Sequence, residues 1–263
     1  MATTAVTSAA TPAARADRPA RQASWAYYLL FFISGFPALL YQIIWQRSLF
    51  TLFGANVESV TIIVTVFMLG LGLGSLAGGS LSARPGVRLL VAFGCVELCT
   101  GAFGLVSLGI FHRVATFTAG SSLLVTGGVA FALLLIPTLL MGSTLPLLAE
   151  HFVQDTGNVG GSVGLLYCVN TLGSGLACLA AALFAMRWFG QSGAVRVAVC
   201  LNLFAGVMAL LLQMRRSGAD ASIAIADLSS EVEPEALLPF PAAMFLAAAT
   251  GFIALAWEIV WYR

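Results

Sequence analysis

Two acidic residues lie inside apolar stretches of this chain, where an ionisable side chain is costly to keep. Glu97 lies within LLVAFGCVELCTGAF, and Glu258 lies within IALAWEIVW. A carboxyl group in such surroundings needs a hydrogen-bonding or cationic partner, so it is by default a candidate for ligand binding or proton transfer. The alternative is a structural carboxyl group that bonds a neighbouring backbone group or hydroxyl. For Glu97 both interpretations stay open, whereas Glu258 favours function.

A polar stripe is the second candidate set. Tyr167, Asn170, Thr171 and Ser174 recur at helical spacing, so they share one face of a single helix. In an apolar medium these groups need partners. They either line a substrate cavity or form hydrogen bonds between helices.

The third candidate set lies near the beginning of the chain. Tyr41, Gln42 and Trp45 combine aromatic rings with an amide, beside Arg47. Such a group could hold a cationic or amphipathic ligand by cation–π contact. An aromatic belt at a membrane interface, around Trp45 and Arg47, explains the same residues equally well.

Other kinds of chemistry find no support in the sequence. It shows no nucleophile–base pair, no metal-ligand set and no cofactor loop, so we expect no metal, no cofactor and no enzymatic activity. The run GLGLGSLAGG (70–79) has the spacing of a dinucleotide fingerprint, but it lies inside an apolar segment without a preceding strand. Its Gly70, Gly74 and Gly78 recur every four residues, which predicts a smooth helix face for close packing.

The composition identifies the elements that must position these residues. Of 263 residues, 60% are hydrophobic and 9% are charged, and the mean hydropathy is +0.98. Soluble domains have about 25% charged residues, so a water-soluble globular protein is excluded. The net charge of +1 gives no support for a nucleic-acid partner. A bilayer span takes ~20 apolar residues, and the segments that meet this length are 25–53, 57–82, 88–111, 119–148, 160–187, 191–214 and 240–263.

An internal repeat predicts the architecture. Residues 35–47 (GFPALLYQIIWQR) and 251–263 (GFIALAWEIVWYR) are identical at seven of thirteen positions. The last segment therefore looks like the first helix of a second copy, and six helices per copy is the plan of one large transporter class. We expect an all-α polytopic membrane protein that consists of a disordered cytoplasmic tail (1–24), a six-helix transmembrane half (25–214), a cytoplasmic linker (215–239) and the first helix of a second repeat (240–263).

The same repeat predicts which of the two acids, Glu97 or Glu258, lies nearer to a ligand. Gln42 in one copy corresponds to Glu258 in the other, and repeat mates face each other in a two-half transporter. Glu258 is therefore expected nearer to a ligand than Glu97. We expect the lipid bilayer as one partner, and other membrane subunits or the rest of the second half as further partners.

The distribution of arginine predicts the orientation. With the N-terminus in the cytoplasm, seven arginines flank the cytoplasmic side and four flank the other side. The positive-inside rule favours this arrangement. We expect a multi-pass protein of a bacterial-type inner membrane with a cytoplasmic N-terminus.

One loop resembles a known signature. Between the second and third predicted segments, residues 79–88 read GSLSARPGVR. Gly79, Arg84, Gly86 and Arg88 resemble the major facilitator superfamily signature of that loop, although Ala83 stands where the signature has Asp.

Longer stretches resemble the membrane part of fused major facilitator/spermidine synthase-like proteins. These stretches are SGFPALLYQIIWQR (34–47), FMLGLGLGSLAGG (67–79), IPTLLMGSTLPLL (136–148) and VGLLYCVNTLGSGL (163–176). In that family a cytosolic aminopropyltransferase-like domain usually follows the membrane helices. The resemblance implies a transporter-like domain that binds a small cationic substrate such as a polyamine. The alternative is a non-transporting membrane anchor or scaffold for an aminopropyltransferase-like partner or a larger membrane complex.

Overall fold

The structure, a computed structural model, describes residues 25–53, 57–156, 159–220 and 239–261, and nearly all of these are helical. No strand occurs within these ranges, so the expected all-α class is confirmed. The predicted tail (1–24) and most of the predicted linker lie outside the described residues. The α-helices are α1 (Trp25–Phe53), α2 (Val57–Ser82), α3 (Leu89–Phe117), α4 (Leu123–Thr156), α5 (Val159–Ala180), α6 (Gly190–Asp220) and α7 (Phe240–Trp261), with a π-helical segment, Ala181–Phe189, between α5 and α6.

The helices are long and apolar enough to cross a membrane. Five such spans are present in the described residues. Four of them coincide with α1 to α4, and the fifth runs over 53 residues, Val163–Arg215, because α5, the π-helical segment and α6 follow one another without a loop. These helices make the chain a membrane-type protein, as the composition predicted.

α1 lies at the centre of the fold and packs against α2, α3, α5 and α6. Two clusters of buried side chains surround it. The first core cluster, around Phe31, lies near the beginning of α1, and the second core cluster, around Trp45, lies near its end. Apolar residues are spread around all sides of α1, so other helices can enclose it.

The 53-residue span doubles back on itself. A straight helix of this length would measure about 80 Å, against a hydrocarbon core of about 30 Å. Leu166 of α5 belongs to the first core cluster and Ala177 to the second, whereas α6 returns from Val195 in the second cluster to Ala209 in the first. The reversal occurs near Gly190, whose φ of 62° lies in the left-handed region that favours glycine.

α7 lies at the edge of the described structure. Among the described helices, it packs mainly against α2. Among the described residues of α7 the apolar stretch is Met244–Ile253, and α7 is not one of the five spans. The seventh span is therefore not shown. The division into a six-helix half and a second repeat stays a prediction.

The three spaced glycines of α2 lie against α4. A methyl group added at Gly70 would overlap Thr138, one at Gly74 would overlap the carbonyl oxygen of Leu139, and one at Gly78 would lie 2.7 Å from the carbonyl oxygen of Ser143. The absence of side chains at these positions lets the two backbones approach closely. The α2–α4 contact in turn forms one wall of the central cavity.

Candidate functional site

A cavity of about 310 Å³ lies between the two core clusters, enclosed by α1 to α6. Its size is at the lower end of the range for small-molecule sites. One part of its wall is apolar and comprises Ala38, Leu39, Phe67, Leu71, Met141 and Leu145. The rest is polar and comprises Ser34, Gln42, Ser75, Glu97, Thr100, Thr144, Tyr167, Asn170, Ser174 and Asn202, with the backbone of Gly142.

Glu97 is the acidic member of this wall. It lies on the buried face of α3, one helical turn from Phe93 and from Thr100, and its side chain is 2% exposed. The hydroxyl of Ser34 in α1 donates a hydrogen bond to Oε1 of Glu97. Oε2 accepts no hydrogen bond from any of the described residues. A buried carboxyl oxygen without a partner costs free energy, and none of the described residues offsets this cost at Oε2.

Asn202 of α6 lies next to Glu97. Its side chain is 3% exposed, and Nδ2 donates to the backbone oxygen of Glu97 at 3.4 Å. Since a carbonyl oxygen can only accept, the amide nitrogen must face Glu97, and Oδ1 points elsewhere. Oδ1 has no hydrogen-bond partner within the described part of the chain. Small residues bring the two helices together, because a methyl group at Gly94 would lie 3.0 Å from the backbone oxygen of Gly206.

Sequence reasoning did not select Asn202. The signal was present, since it is the single amide in the apolar run VAVCLNLFAGV. A polar residue in the middle of a membrane span is a functional candidate by the same argument that selected Glu97.

The structure brings five sequence-predicted candidates to the cavity, namely Gln42, Glu97, Tyr167, Asn170 and Ser174. Tyr167 is 61% exposed, so it lines the opening rather than the interior. Thr171 does not line the cavity; it lies on the exposed side of α5, and its hydroxyl donates to the backbone oxygen of Tyr167 in its own helix at 2.8 Å.

Tyr41 and Trp45 lie in the second core cluster, away from the cavity wall. Their rings stack with centroids 4.7 Å apart, and the indole nitrogen of Trp45 donates to Oγ of Ser107 at 3.1 Å. Both side chains are fully buried, so Trp45 neither faces a ligand nor forms an interfacial belt. The reason is packing, because a methyl group at Gly104 would overlap the Tyr41 hydroxyl, and glycine makes room for the ring there.

Glu258 was expected nearer to a ligand than Glu97. The backbone of Glu258 belongs to α7, but its side chain lies outside the described residues. In the described part of the chain, Glu97 is the carboxyl group that lines the cavity.

The loop with the signature-like residues lies between α2 and α3. Gly79 belongs to the last turns of α2, and Arg84 and Arg88 are exposed. Gly86 has a φ of 82°, which explains why glycine occupies this position of the turn. Across the described residues, no group of three or more His, Cys, Asp or Glu side chains could hold a metal ion.

These features define a helical protein of the membrane type with a small cavity, whose wall is partly apolar and partly polar and includes one buried acid among the described residues. The chain is similar to polyamine aminopropyltransferase 1 of Streptomyces coelicolor, with 28% identity over 209 residues. The similarity covers 79% of this chain and 38% of that protein, so the chain corresponds to well under half of its relative. No family model matches the chain, and no solved structure matches it.

This relative corrects one expectation. The absence of catalytic motifs predicted that the chain is not an enzyme, but most of the chain aligns with an aminopropyltransferase. The expectation was wrong, because a chain without a catalytic motif of its own can still be related to an enzyme. The relative supports the spermidine synthase-like part of the resemblance, whereas the link to the major facilitator superfamily stays a prediction.

Proposed function

We propose that this chain is the membrane part of a polyamine aminopropyltransferase-like protein and that its central cavity binds a small cationic substrate such as a polyamine. The observation that carries the proposal is Glu97, a buried acid on a cavity wall whose Oε2 receives no hydrogen bond from the described residues. An acid in an apolar medium is stabilised most by a cation. The relative that shares this helical region is named for its action on polyamines, which supports the same ligand class.

The proposal also covers the location of the protein in the cell and the transport of its ligand across the membrane. The arginine distribution supports a bacterial-type inner membrane with the N-terminus in the cytoplasm. The repeat of α1 in α7 supports a transporter-like plan in which the cavity would be exposed alternately to the two sides.

Binding is tested by isothermal titration of the chain in phospholipid nanodiscs with spermidine. Glu97→Gln removes the charge but leaves a side-chain oxygen that still accepts from Ser34. Loss of a charged hydrogen-bond partner costs ~1.5–3 kcal/mol, so we expect about 10- to 150-fold weaker binding. The matched control is Glu150→Gln in α4, where the carboxylate accepts from the exposed Gln154 outside the cavity. We expect this variant to bind like the parent.

Two results would contradict the proposal. If the parent chain does not bind spermidine, a polyamine site is refuted, and the result favours the alternative that the chain is a membrane anchor. If Glu97→Gln and Glu150→Gln bind equally well, Glu97 is a structural acid. Uptake of radiolabelled spermidine into proteoliposomes that contain the parent chain, but not Glu97→Gln, is the test of transport.

A further inference from the structure

Four exposed arginines lie at the end of the bundle where α1 and α3 end and where the chain reverses at Gly190. They are Arg47 in α1, Arg113 in α3, Arg187 in the π-helical segment and Arg196 in α6. Each lies three to six residues from the end of its helix or from Gly190. At 1.5 Å per residue this distance is about 4–9 Å, so the four residues share one level of the bundle.

The second core cluster fixes the direction of these side chains. Its buried members include Trp45, Phe111, Ala185 and Ala198, and each of these lies two residues from one of the four arginines. Two residues correspond to about half a turn of a helix, so a side chain two positions from a buried one points away from the core. The four arginines therefore form an arginine belt around the outside of the bundle rather than a pocket.

Direct contacts join the helices at this level. The rings of Trp45 in α1 and Phe111 in α3 have centroids 6.0 Å apart. Ser48 Oγ, next to Arg47, donates to Oε1 of Gln191 in α6 at 3.2 Å. The belt thus runs over helices that pack against one another.

The belt is positively charged. The acidic side chains that the structure describes are Glu97, on the cavity wall, and Glu150, beside the first core cluster. Glu58 begins near this end, in the first turn of α2, and its side chain lies outside the described residues. The positive-inside rule favours arginine at the opposite end of the bundle, so it does not account for the belt.

The neighbours of the belt indicate what kind of anion it suits. A guanidinium group matches the geometry of a phosphate group, with two parallel hydrogen bonds. Large apolar side chains are exposed at the same level, since Trp188 is 68% exposed and Phe117 is 87% exposed. A soluble anion would leave these rings in water, whereas a phospholipid covers them and places its phosphate beside the arginines.

We propose that the arginine belt binds the phosphate groups of anionic phospholipids in the leaflet at this end of the bundle. This inference does not depend on the ligand of the central cavity. One basic residue beside an anionic lipid strengthens binding about fivefold. A headgroup that contacts one or two arginines should therefore bind about 5- to 25-fold more tightly when it is anionic than when it is zwitterionic.

Native mass spectrometry of the parent chain in detergent tests this preference, through the Kd of phosphatidylglycerol and of phosphatidylcholine with the same acyl chains. The belt variant carries Arg113→Gln, Arg187→Gln and Arg196→Gln, and Arg47 stays because it makes a contact of its own within the chain. We expect the ratio of the two Kd values to fall at least about fivefold in the belt variant. The control variant removes three exposed arginines at the other end, Arg84→Gln, Arg88→Gln and Arg215→Gln, and should keep the ratio of the parent chain.

Four results would overturn the proposal. The first is an equal Kd for both lipids on the parent chain, and the second is a belt variant that keeps the full ratio. The third is an equal loss in both variants, which would show attraction by net charge alone. The fourth is binding of glycerol 3-phosphate as tightly as phosphatidylglycerol, which would assign the belt to a soluble phosphate compound. If a triple variant does not fold, Arg187→Gln and Arg84→Gln provide the same comparison.

Discussion

The close approach of α2 and α4 can be tested by adding a single methyl group. In Gly74→Ala the new Cβ would overlap the carbonyl oxygen of Leu139 and would lie 2.9 Å from its carbonyl carbon and 3.0 Å from Cα of Gly142. Ordinary Cβ contacts lie between 3.4 and 4 Å, and all three neighbours are backbone atoms that cannot rotate away. The overlap with the Leu139 oxygen sets the minimum, and the helices would have to separate by about 1 Å to relieve it.

The magnitude follows from two opposing terms. Overpacking of a tight interior costs ~1–3 kcal/mol, whereas alanine in place of glycine in a helix interior gains ~1 kcal/mol. We therefore expect Gly74→Ala to lower the free energy of unfolding by up to about 2 kcal/mol. Gly72 provides the matched control, since it lies in the same helix and a methyl group there meets no atom within 4 Å. Gly72→Ala should be neutral or slightly stabilising.

The assay is thermal unfolding of both variants in the same detergent, followed by circular dichroism. A lower melting temperature for Gly74→Ala than for Gly72→Ala is the expected order. Equal melting temperatures would refute the close α2–α4 contact. Gly193 is a poor control although it lies near a turn, because a methyl group there would lie 2.5 Å from Cβ of Phe189.

Three further predictions concern the core, the α2–α3 turn and the orientation. Trp45→Phe removes the hydrogen bond to Ser107 and part of a buried ring, so thermal unfolding should show a loss of about 1–2 kcal/mol; an unchanged melting temperature would contradict the burial of the indole. Gly86→Ala places a side chain at a φ of 82° and should cost about 1 kcal/mol in the same assay, whereas Gly109→Ala, inside α3 with open space around it, should not be destabilising. A cysteine in place of Asp220, at the end of α6, should not react with an impermeant thiol reagent added outside intact cells; labelling above that of the parent chain would reverse the orientation.

The positions of the helices could be predicted from the sequence because span length is fixed by the bilayer. The predicted segments 25–53 and 57–82 have the bounds of α1 and α2. The predicted break between 187 and 191 includes Gly190, where the chain reverses. Helix ends that continue beyond the apolar run could not be predicted, and α4 reaches Thr156 although the predicted segment ends at 148.

The sequence of α1 does not reveal which side of this helix faces the protein interior. In a soluble protein the buried side is apolar and the other side is polar, but here both the core and the lipid favour apolar residues. Tyr41 and Trp45 were therefore selected for their chemistry, whereas in the structure they pack among other rings. The cavity-facing side of α5 could be predicted, because the spacing of Tyr167, Asn170 and Ser174 places them on one face of the helix.

The cavity itself depends on pairs of residues that are distant in the sequence, and no spacing rule connects them. Ser34 and Glu97 are 63 residues apart, and Asn202 is 105 residues from Glu97. Glu97 thus joins α1, α3 and α6 through one side chain and one backbone group while leaving Oε2 free of any described donor. Burial of an unpaired acceptor lowers stability. The same contacts that fix the position of the carboxyl group leave Oε2 without a described donor. Under the proposed function the ligand supplies that donor, and Glu97→Gln, which preserves the contact with Ser34, separates binding from folding.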